Sequence, residues 1–377
     1  MIKSRLSELK KWYLLSKKRT AYQSKIQKIY KISEKSKIYA DMDIYGYKNR
    51  WSILDSNINE TWYKTYTNIS GKESHDYVPE DLYYGIIEPI LNNNNFATAY
   101  ADKNFYNKYY SETDVFPETL LRNIHGDFYD SDYHNIEDLS KFEKYFGFEQ
   151  KLVIKPSIDS WGGKNIQIFY RKNKNFYNNA GEQLTIKYLL DNYKQDFVIQ
   201  KYIESDKYFQ YLNPTSLNTI RMYTYRSVKT NKVVVFNSIV RIGGVDSEVD
   251  NVSSGGVCCL VNHNGELSDY ALDIYGNKFY TLPSKPSVKF SDIRKVPKYN
   301  EIKALTSKTA SENNYQRLLG FDCCIDNEGN VKIVEINNRR IDINCFQLFG
   351  LPLFGEYTDE VIEYCNQKRL EGYLYSL

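Results

Sequence analysis

Gly320-Phe-Asp322-Cys-Cys-Ile325, then Asp326-Asn-Glu-Gly-Asn330, then Val331-Lys-Ile-Val-Glu335-Ile-Asn337 is the stretch that decides the reading of this chain. Two β-prone runs flank a turn rich in Asn, Asp and Gly, which predicts a β-hairpin. A turn centred on Asn327–Asn330 sets Asp322 opposite Glu335. Asn337, two residues on, points to the same face, because strand side chains alternate. Carboxylates directly across a strand pair stand roughly 4.5–5.5 Å apart at Cβ and repel unless a positive group lies between them. A hard divalent cation such as Mg²⁺, held by oxygen ligands and often shared with phosphates, answers that need. A solvated polar face on a surface hairpin is the other reading, and the hairpin alone does not separate the two.

Outward from the hairpin, 377 residues suffice for two or three domains with a sizeable core. No run of about 18 apolar residues predicts a membrane span, and the N-terminus has no apolar h-region of a secretory signal. The six cysteines (Cys258, Cys259, Cys323, Cys324, Cys345, Cys365) lack zinc or redox spacing. They read as buried thiols of a cytoplasmic protein. The four histidines, His75, His125, His134 and His263, are too scattered for a histidine-based metal site or triad. Abundant Tyr, Lys, Asn and Ile together suggest an A+T-rich genome.

The net charge of +3 conceals an asymmetry: residues 1–37 carry twelve Lys/Arg against two Glu, leaving −7 over the other 340 residues. Ile2, Leu6, Leu9 and Tyr13, and again Tyr22, Ile26 and Ile29, recur at helical spacing. A basic amphipathic helix can lie on an anionic membrane surface or on nucleic acid, or pack on its own domain with its lysines in water. The last reading is preferred, with membrane contact retained and no nucleic acid expected.

Residues 39–115 are aromatic-rich and glycine-poor and read as mostly helical, with a loop at Asn92–Asn95. From residue 116 the texture changes. Phe116–Leu121 looks like a strand or a turn opening a helix. Strands follow at 151–154, 167–170 and 197–200, with a helix over 185–193 between the last two. Longer antiparallel strands are expected over 219–228, 232–242 and 256–261. A helix is expected over 300–319, patterned by Ile302, Leu305, Ala310, Tyr315, Leu318 and Leu319. Strands with interspersed helices and hairpin connections indicate an α+β fold.

Several segments have the residue types for phosphate chemistry. Lys155 ends an apolar strand and precedes Ser160-Trp-Gly162-Gly163, a loop whose glycines let backbone N–H groups approach an anion. An ordinary hairpin turn fits the same residues, and neither a Walker A loop nor a Rossmann fingerprint is present. Phe197–Gln200 runs into Lys201-Tyr202-Ile203-Glu204, a strand edge of the kind that meets a purine through backbone groups. Arg221 and Arg241 lie near strand ends, placed for bidentate contacts to phosphate or carboxylate. Asp250-Asn251-Val-Ser-Ser-Gly255-Gly256 is a polar glycine turn.

In this order the segments resemble the ATP-grasp superfamily over residues 116–350. Ser216-Leu-Asn-Thr-Ile-Arg221, Asp250-Asn251…Gly255-Gly256 and Gly320-Phe-Asp322…Glu335-Ile-Asn337 are most similar to its sugar-transfer-associated branch, which is linked to bacterial surface polysaccharide assembly. The resemblance implies an ATP-grasp domain over 116–377, with an ATP-lid subdomain at 116–205 and a metal-binding subdomain at 206–377 that grip ATP between them. A mostly helical domain, 1–115, precedes it. Lys155 would bind the α- and β-phosphates, and the Ser160, Gly162, Gly163 loop would close over them. Gln200, Lys201, Tyr202 and Ile203 would form the adenine hinge, with Lys201 and Ile203 offering backbone groups. Arg221 and Arg241 would meet the γ-phosphate or an acyl-phosphate, and Asp322, Glu335 and Asn337 would hold Mg²⁺. The upstream phosphate-binding lysine of the family has no clear match; Arg122 is its nearest stand-in. Asn338-Arg339-Arg340-Ile-Asp342 departs from the short turn expected after Asn337. Strand alternation would aim Arg339 at the substrate and Arg340 away, and Asn251, Gly255 and Gly256 are further candidate substrate residues.

The reaction implied is an ATP- and Mg²⁺-dependent ligation of a carboxylate, free or glycan-linked, to an amine or hydroxyl acceptor. It would take place in the cytoplasm or at the inner face of the membrane. A kinase acting on a sugar or polyol, and a nonenzymatic membrane- or nucleic-acid-binding adaptor, are the rivals. Charge neutralisation by Mg²⁺, Lys155 and the arginines would carry catalysis with little acid–base work.

Overall fold

The structure, a computed structural model, describes residues 20–33, 42–158, 165–245, 247, 250, 252 and 255–371. Two antiparallel sheets organise the chain. The first has six strands in the order β2-β1-β6-β3-β4-β5. These are β1 (Thr119–Ile124), β2 (Asp127–Asp130), β3 (Lys151–Pro156), β4 (Gln167–Lys172), β5 (Asn175–Tyr177) and β6 (Phe197–Lys201). The second contains β7 (Thr219–Arg226), β8 (Val233–Ile242), β9 (Val257–Val261), β10 (Leu267–Leu272) and β11 (Lys278–Phe279). A short pair, β12 (Thr281–Leu282) with β13 (Lys285–Lys289), precedes its last strands, β14 (Leu318–Ile325) and β15 (Val331–Asn337). The order in the second sheet is β11-β10-β9-β8-β7-β14-β15. Helices at the N-terminal side, between strands and at Thr358–Leu370 complete an α+β fold.

The hairpin forms for the reasons its sequence states. The Asp326 carboxylate accepts N–H bonds from Glu328 and Asn330 at 3.0 and 2.7 Å, and Gly329 takes φ +87°, where a side chain would be strained. Gly320 pairs with Asn337 and Asp322 with Glu335, and the register then slips by one, so that Cys323 meets Ile333. This bulge lies beside the two carboxylates, where bulges commonly re-aim side chains.

Alternation divides the second sheet into two faces. Met222, Val240, Phe321 and Ile333 pack with Ile302 and Ala310 of the helix Tyr299–Glu312. The opposite face places Tyr223, Tyr225 and Ile239 in one core with Trp51, Trp62 and Tyr66 of the N-terminal helices and Val361 of the last helix. Leu121, Ile154 and Phe197 of the first sheet pack with Leu189 of the helix Ile186–Asn192.

One expectation is corrected. The helix expected over 300–319 ends at Glu312, and Leu318 and Leu319 begin β14, paired with Tyr225 and Thr224. Tyr315, counted as an inward position, is 44% exposed: the helical period was extended through a turn into a strand. Of the two readings of Phe116–Leu121, the strand holds and the helix does not. The segment leads into β1, which turns at His125 and Gly126, both at positive φ, into β2.

In the helix at 20–33, Ile26 and Ile29 are buried, Tyr22 stacks on Tyr84, and Lys25 pairs with Glu80 at 2.9 Å. This segment therefore packs on its own protein, with Lys28 and Lys31 exposed. Ile2, Leu6, Leu9 and Tyr13 lie outside the described residues. Among the described residues no helix is long and apolar enough to cross a membrane. All six cysteines are buried free thiols. Many tyrosines serve as core residues with anchored hydroxyls. Tyr66, Tyr84 and Tyr223 donate to the Asn344 side chain and to the carbonyls of Ile341 and Asp342, tying the segment after β15 to its surroundings.

Candidate functional site

The two sheets face each other across a cleft, and four cations, Lys103 and Lys155 buried and Arg221 and Arg241 partly so, converge on the hairpin carboxylates. Arg221 on β7 lies directly across from Asp322 and grips it with Nε and Nη2, each at 2.6 Å. Arg241 on β8 reaches the same carboxylate at 3.1 Å and also Asp250 at 3.1 Å, whose other oxygen accepts from Thr219. Asn337 donates its amide N–H to Asp322 at 3.3 Å. Lys103 pairs with Glu335 at 2.7 Å, and Lys155 donates to the Val334 carbonyl at 3.3 Å. The carboxylates that the hairpin places face to face are thus compensated by arginines on the adjoining strands and by a lysine from outside both sheets.

Burial works against the Asp322 charge, but the Arg221 and Arg241 guanidiniums outweigh it and hold its pKa at about 2. Burial likewise opposes ionisation of Glu335, and Lys103 more than offsets it, so this carboxyl titrates below the ordinary glutamate value. Asp250 is shifted upward by burial, with Arg241 opposing. Burial and the nearby Lys103 cation push Lys155 down to about 7.

That last shift has a measurable consequence. Between about pH 7 and the ordinary lysine value near 10.4, the unfolded chain binds the proton that the folded one has released. Lys155 therefore contributes stability that rises with pH across this window. A polyanion bound beside it restores the cation. Binding of a polyphosphate at pH 8.5 is expected to take up protons, and at pH 6 not to. Calorimetry in buffers of different ionisation enthalpy reads the difference; equal uptake at both pH values removes Lys155 from the anion site.

The remaining expected positions divide. Gln200 is buried, and its amide donates to Thr119 Oγ1 at 3.0 Å, locking β6 to β1. The Lys201 N–H is given to the Glu118 carbonyl at 2.9 Å, and its ammonium pairs with Glu149. Lys201, Tyr202 and Ile203 line a cleft of about 460 Å³ whose far wall is the Asp326–Glu328 turn and Lys332. Gly255 turns at φ +90°, and Gly256 is buried. Ser160, Gly162, Gly163 and Asn251 lie outside the described residues.

The strand argument for Arg339 fails, because β15 ends at Asn337 and Arg340 sits at φ +53°. Arg339 nonetheless lines a slot of about 20 Å³ together with Lys103, Glu335 and Asn337, while Arg340 is exposed. Arg122, the nearest stand-in for an upstream lysine, donates its Nη1 to the Asn104 carbonyl at 2.7 Å. Lys103, which sequence reasoning missed, is the lysine brought to Glu335. Its only local signal is Asp102, which caps the short turn Lys103–Phe105, a pattern common to many loops. Asp250 was likewise passed over as the charge partner of Arg241. A further group, Asp130, Asp132 and His134, gathers its ligand atoms within 4.8 Å, but the Asp130 carboxylate is already engaged by the N–H groups of Asp132 and His134.

Antiparallel sheets gripping a cleft, with lysines on one side and arginines and carboxylates on the other, define an ATP-grasp fold. The family described as sugar-transfer associated ATP-grasp matches residues 87–359, and the chain belongs to it. Among solved structures it is similar to N5-carboxyaminoimidazole ribonucleotide synthetase from Thermotoga maritima, with 11% identity over 72% of this chain and 50% of that one, TM-score 0.38. It is also similar to the ATP-grasp ligase PsnB complexed with a minimal precursor, with 12% identity over 73% of this chain and 63% of that one, TM-score 0.38. The chain spans about half the length of the first and under two thirds of the second. No curated protein matches it.

Proposed function

We propose that the chain is an ATP- and Mg²⁺-dependent ligase that activates a carboxylate as an acyl-phosphate and joins it to an amine or hydroxyl in cell-surface polysaccharide biosynthesis. The convergence of Lys103, Lys155, Arg221 and Arg241 on one buried site supports this reading most directly. Such a set of cations suits a polyphosphate. Asp322, Glu335 and the Asn337 amide oxygen supply the hard oxygen donors that magnesium requires. Bound there, magnesium would neutralise charge developing on the transferred phosphoryl group.

The chain's own residues do the rest. Lys103 and Lys155 hold the phosphate chain, and the cleft beside Tyr202 and Ile203 receives the base. Arg221 and Arg241 turn from Asp322 toward the terminal phosphate. A substrate carboxylate oxygen attacks the γ-phosphorus and ADP leaves. The acceptor nitrogen or oxygen then attacks the acyl carbon, phosphate leaves, and the acceptor's proton passes to solvent.

MgATP at 100 times its dissociation constant is expected to stabilise the protein by about 2.7 kcal/mol. The absence of any shift with ATP, ADP or a nonhydrolysable analogue sinks the reading. Hydroxamate formed from hydroxylamine and a substrate carboxylate identifies the ligase; ADP release with a phosphorylated sugar and no hydroxamate identifies a kinase instead. Arg339 beside Lys103 and Glu335 is assigned to an anionic group of the substrate. Arg339→Ala is expected to raise the substrate KM about tenfold, the loss of one charged hydrogen bond, with nucleotide affinity retained and Arg340→Ala close to wild type. Equal kinetics for both variants and wild type removes Arg339 from the site.

A further inference from the structure

Lys103 comes from a turn that crosses the open face of the first sheet, and what fixes that turn is a buried arginine. Arg122, Val198 and Lys155 lie abreast on β1, β6 and β3. The turn runs above this row and is held on both sides of Lys103. Its N–H donates to the Ser157 carbonyl at 2.9 Å. One residue on, the Asn104 carbonyl accepts from Arg122 Nη1 at 2.7 Å and from the Tyr133 hydroxyl at 2.6 Å, and the Asn104 amide donates to the Asn123 carbonyl at 3.0 Å. The Tyr133 ring lies 4.3 Å from the guanidinium carbon of Arg122, with Lys108 Nζ 3.9 Å from the same ring.

Arg122 is 1% exposed, yet among the described residues its Nε and Nη2 have no hydrogen-bond partner. Burial accordingly pushes its pKa down. A guanidinium with two bare nitrogens in the interior does not serve stability, since a buried charge with few partners is costly. Its one hydrogen bond among the described residues goes to the carbonyl that sets the path of the backbone next to Lys103.

We propose that Arg122, assisted by Tyr133, is a positioning residue that holds Lys103 at the phosphate site. It acts through the Asn104 carbonyl, its one hydrogen-bond partner among the described residues. The inference rests on the nucleotide-binding reading above.

The test is calorimetric titration of MgADP into wild type, Arg122→Met, Arg122→Lys, Tyr133→Phe, Lys103→Met and the Arg122→Met/Lys103→Met double variant. Arg122→Met is expected to weaken binding about ten- to hundredfold, the scale of an ångström-level misplacement, without lowering the melting temperature of the ligand-free protein. Arg122→Lys, whose ammonium can still reach the carbonyl, recovers most of the affinity, and Tyr133→Phe loses a smaller part. The double variant binds like Lys103→Met alone, because the two residues act as one unit. Wild-type affinity in Arg122→Met, or losses that add in the double variant, overturns the proposal. Should Arg122→Met fail to fold, the cycle of Tyr133→Phe with Lys103→Met decides by the same criterion. If wild type itself binds no MgADP, the nucleotide-binding reading falls, and the proposal with it.

Discussion

Lys155→Met is expected to melt at a higher temperature than wild type in the absence of ligand and to lose its response to MgATP altogether. Lys155 is 4% exposed, and its ammonium has a single long hydrogen bond among the described residues, at 3.3 Å to the Val334 carbonyl, and lies near the Lys103 cation. Each pK unit corresponds to about 1.4 kcal/mol, so a fall from the ordinary lysine value to about 7 marks a site where the cation is costly by a few kcal/mol. Methionine fills similar space without the charge. Each kcal/mol recovered raises the melting temperature of a chain this long by about 2–4 °C or less. The same change removes a cation that a polyphosphate needs. Differential scanning fluorimetry with and without MgATP reads both effects. A lower melting temperature together with an intact nucleotide shift would show that Lys155 is a structural cation.

Asp322→Asn is expected to destabilise the protein by about 3–5 kcal/mol, the cost of breaking a buried ion pair from one side. Cross-strand repulsion with Glu335, the only interaction legible in the hairpin, predicts the reverse: a substitution that relieves strain. The difference lies in Arg221 and Arg241, which both bind Asp322 and would be left with Asp250 as the one remaining carboxylate among these contacts. The pH dependence has a definite sign. With a folded pKa of about 2 against an ordinary value near 3.9, the Asp322 contribution is complete above the ordinary value and is lost as pH falls toward 2. Wild type should therefore show a phase of acid destabilisation below pH 4 that Asp322→Asn lacks. Urea unfolding at pH 7 and at pH 3 measures both parts. Equal stability of the two proteins at pH 7 would mean that the arginines find other partners and that the ion-pair network is dispensable.

How much of this was legible in sequence differs from residue to residue. Asp322 opposite Glu335, with Asn337 on the same face, follows from a turn of Asp, Asn and Gly and from the two-residue period of a strand. Both are local rules, and the structure obeys them. Arg221 was recognised as a strand arginine, but its partner was not, because the pairing of β7 with β14 joins residues about a hundred positions apart. The helix projected to Leu319 failed where two periodic patterns abut, since Leu318 and Leu319 satisfy either one until strand pairing selects.

Local chemistry in the chain alone therefore determined the hairpin, the order of the lysine-, glycine- and arginine-bearing segments and the α+β character. The tertiary structure alone decided which charges meet: Lys103 on Glu335, Arg221 and Arg241 on Asp322, and Arg122 beneath the Lys103 turn. The physical reason is the range of the forces involved. Turn formation and strand alternation act between neighbours along the chain, whereas the electrostatic balance of a buried site depends on every segment that packs around it, from wherever in the sequence it comes.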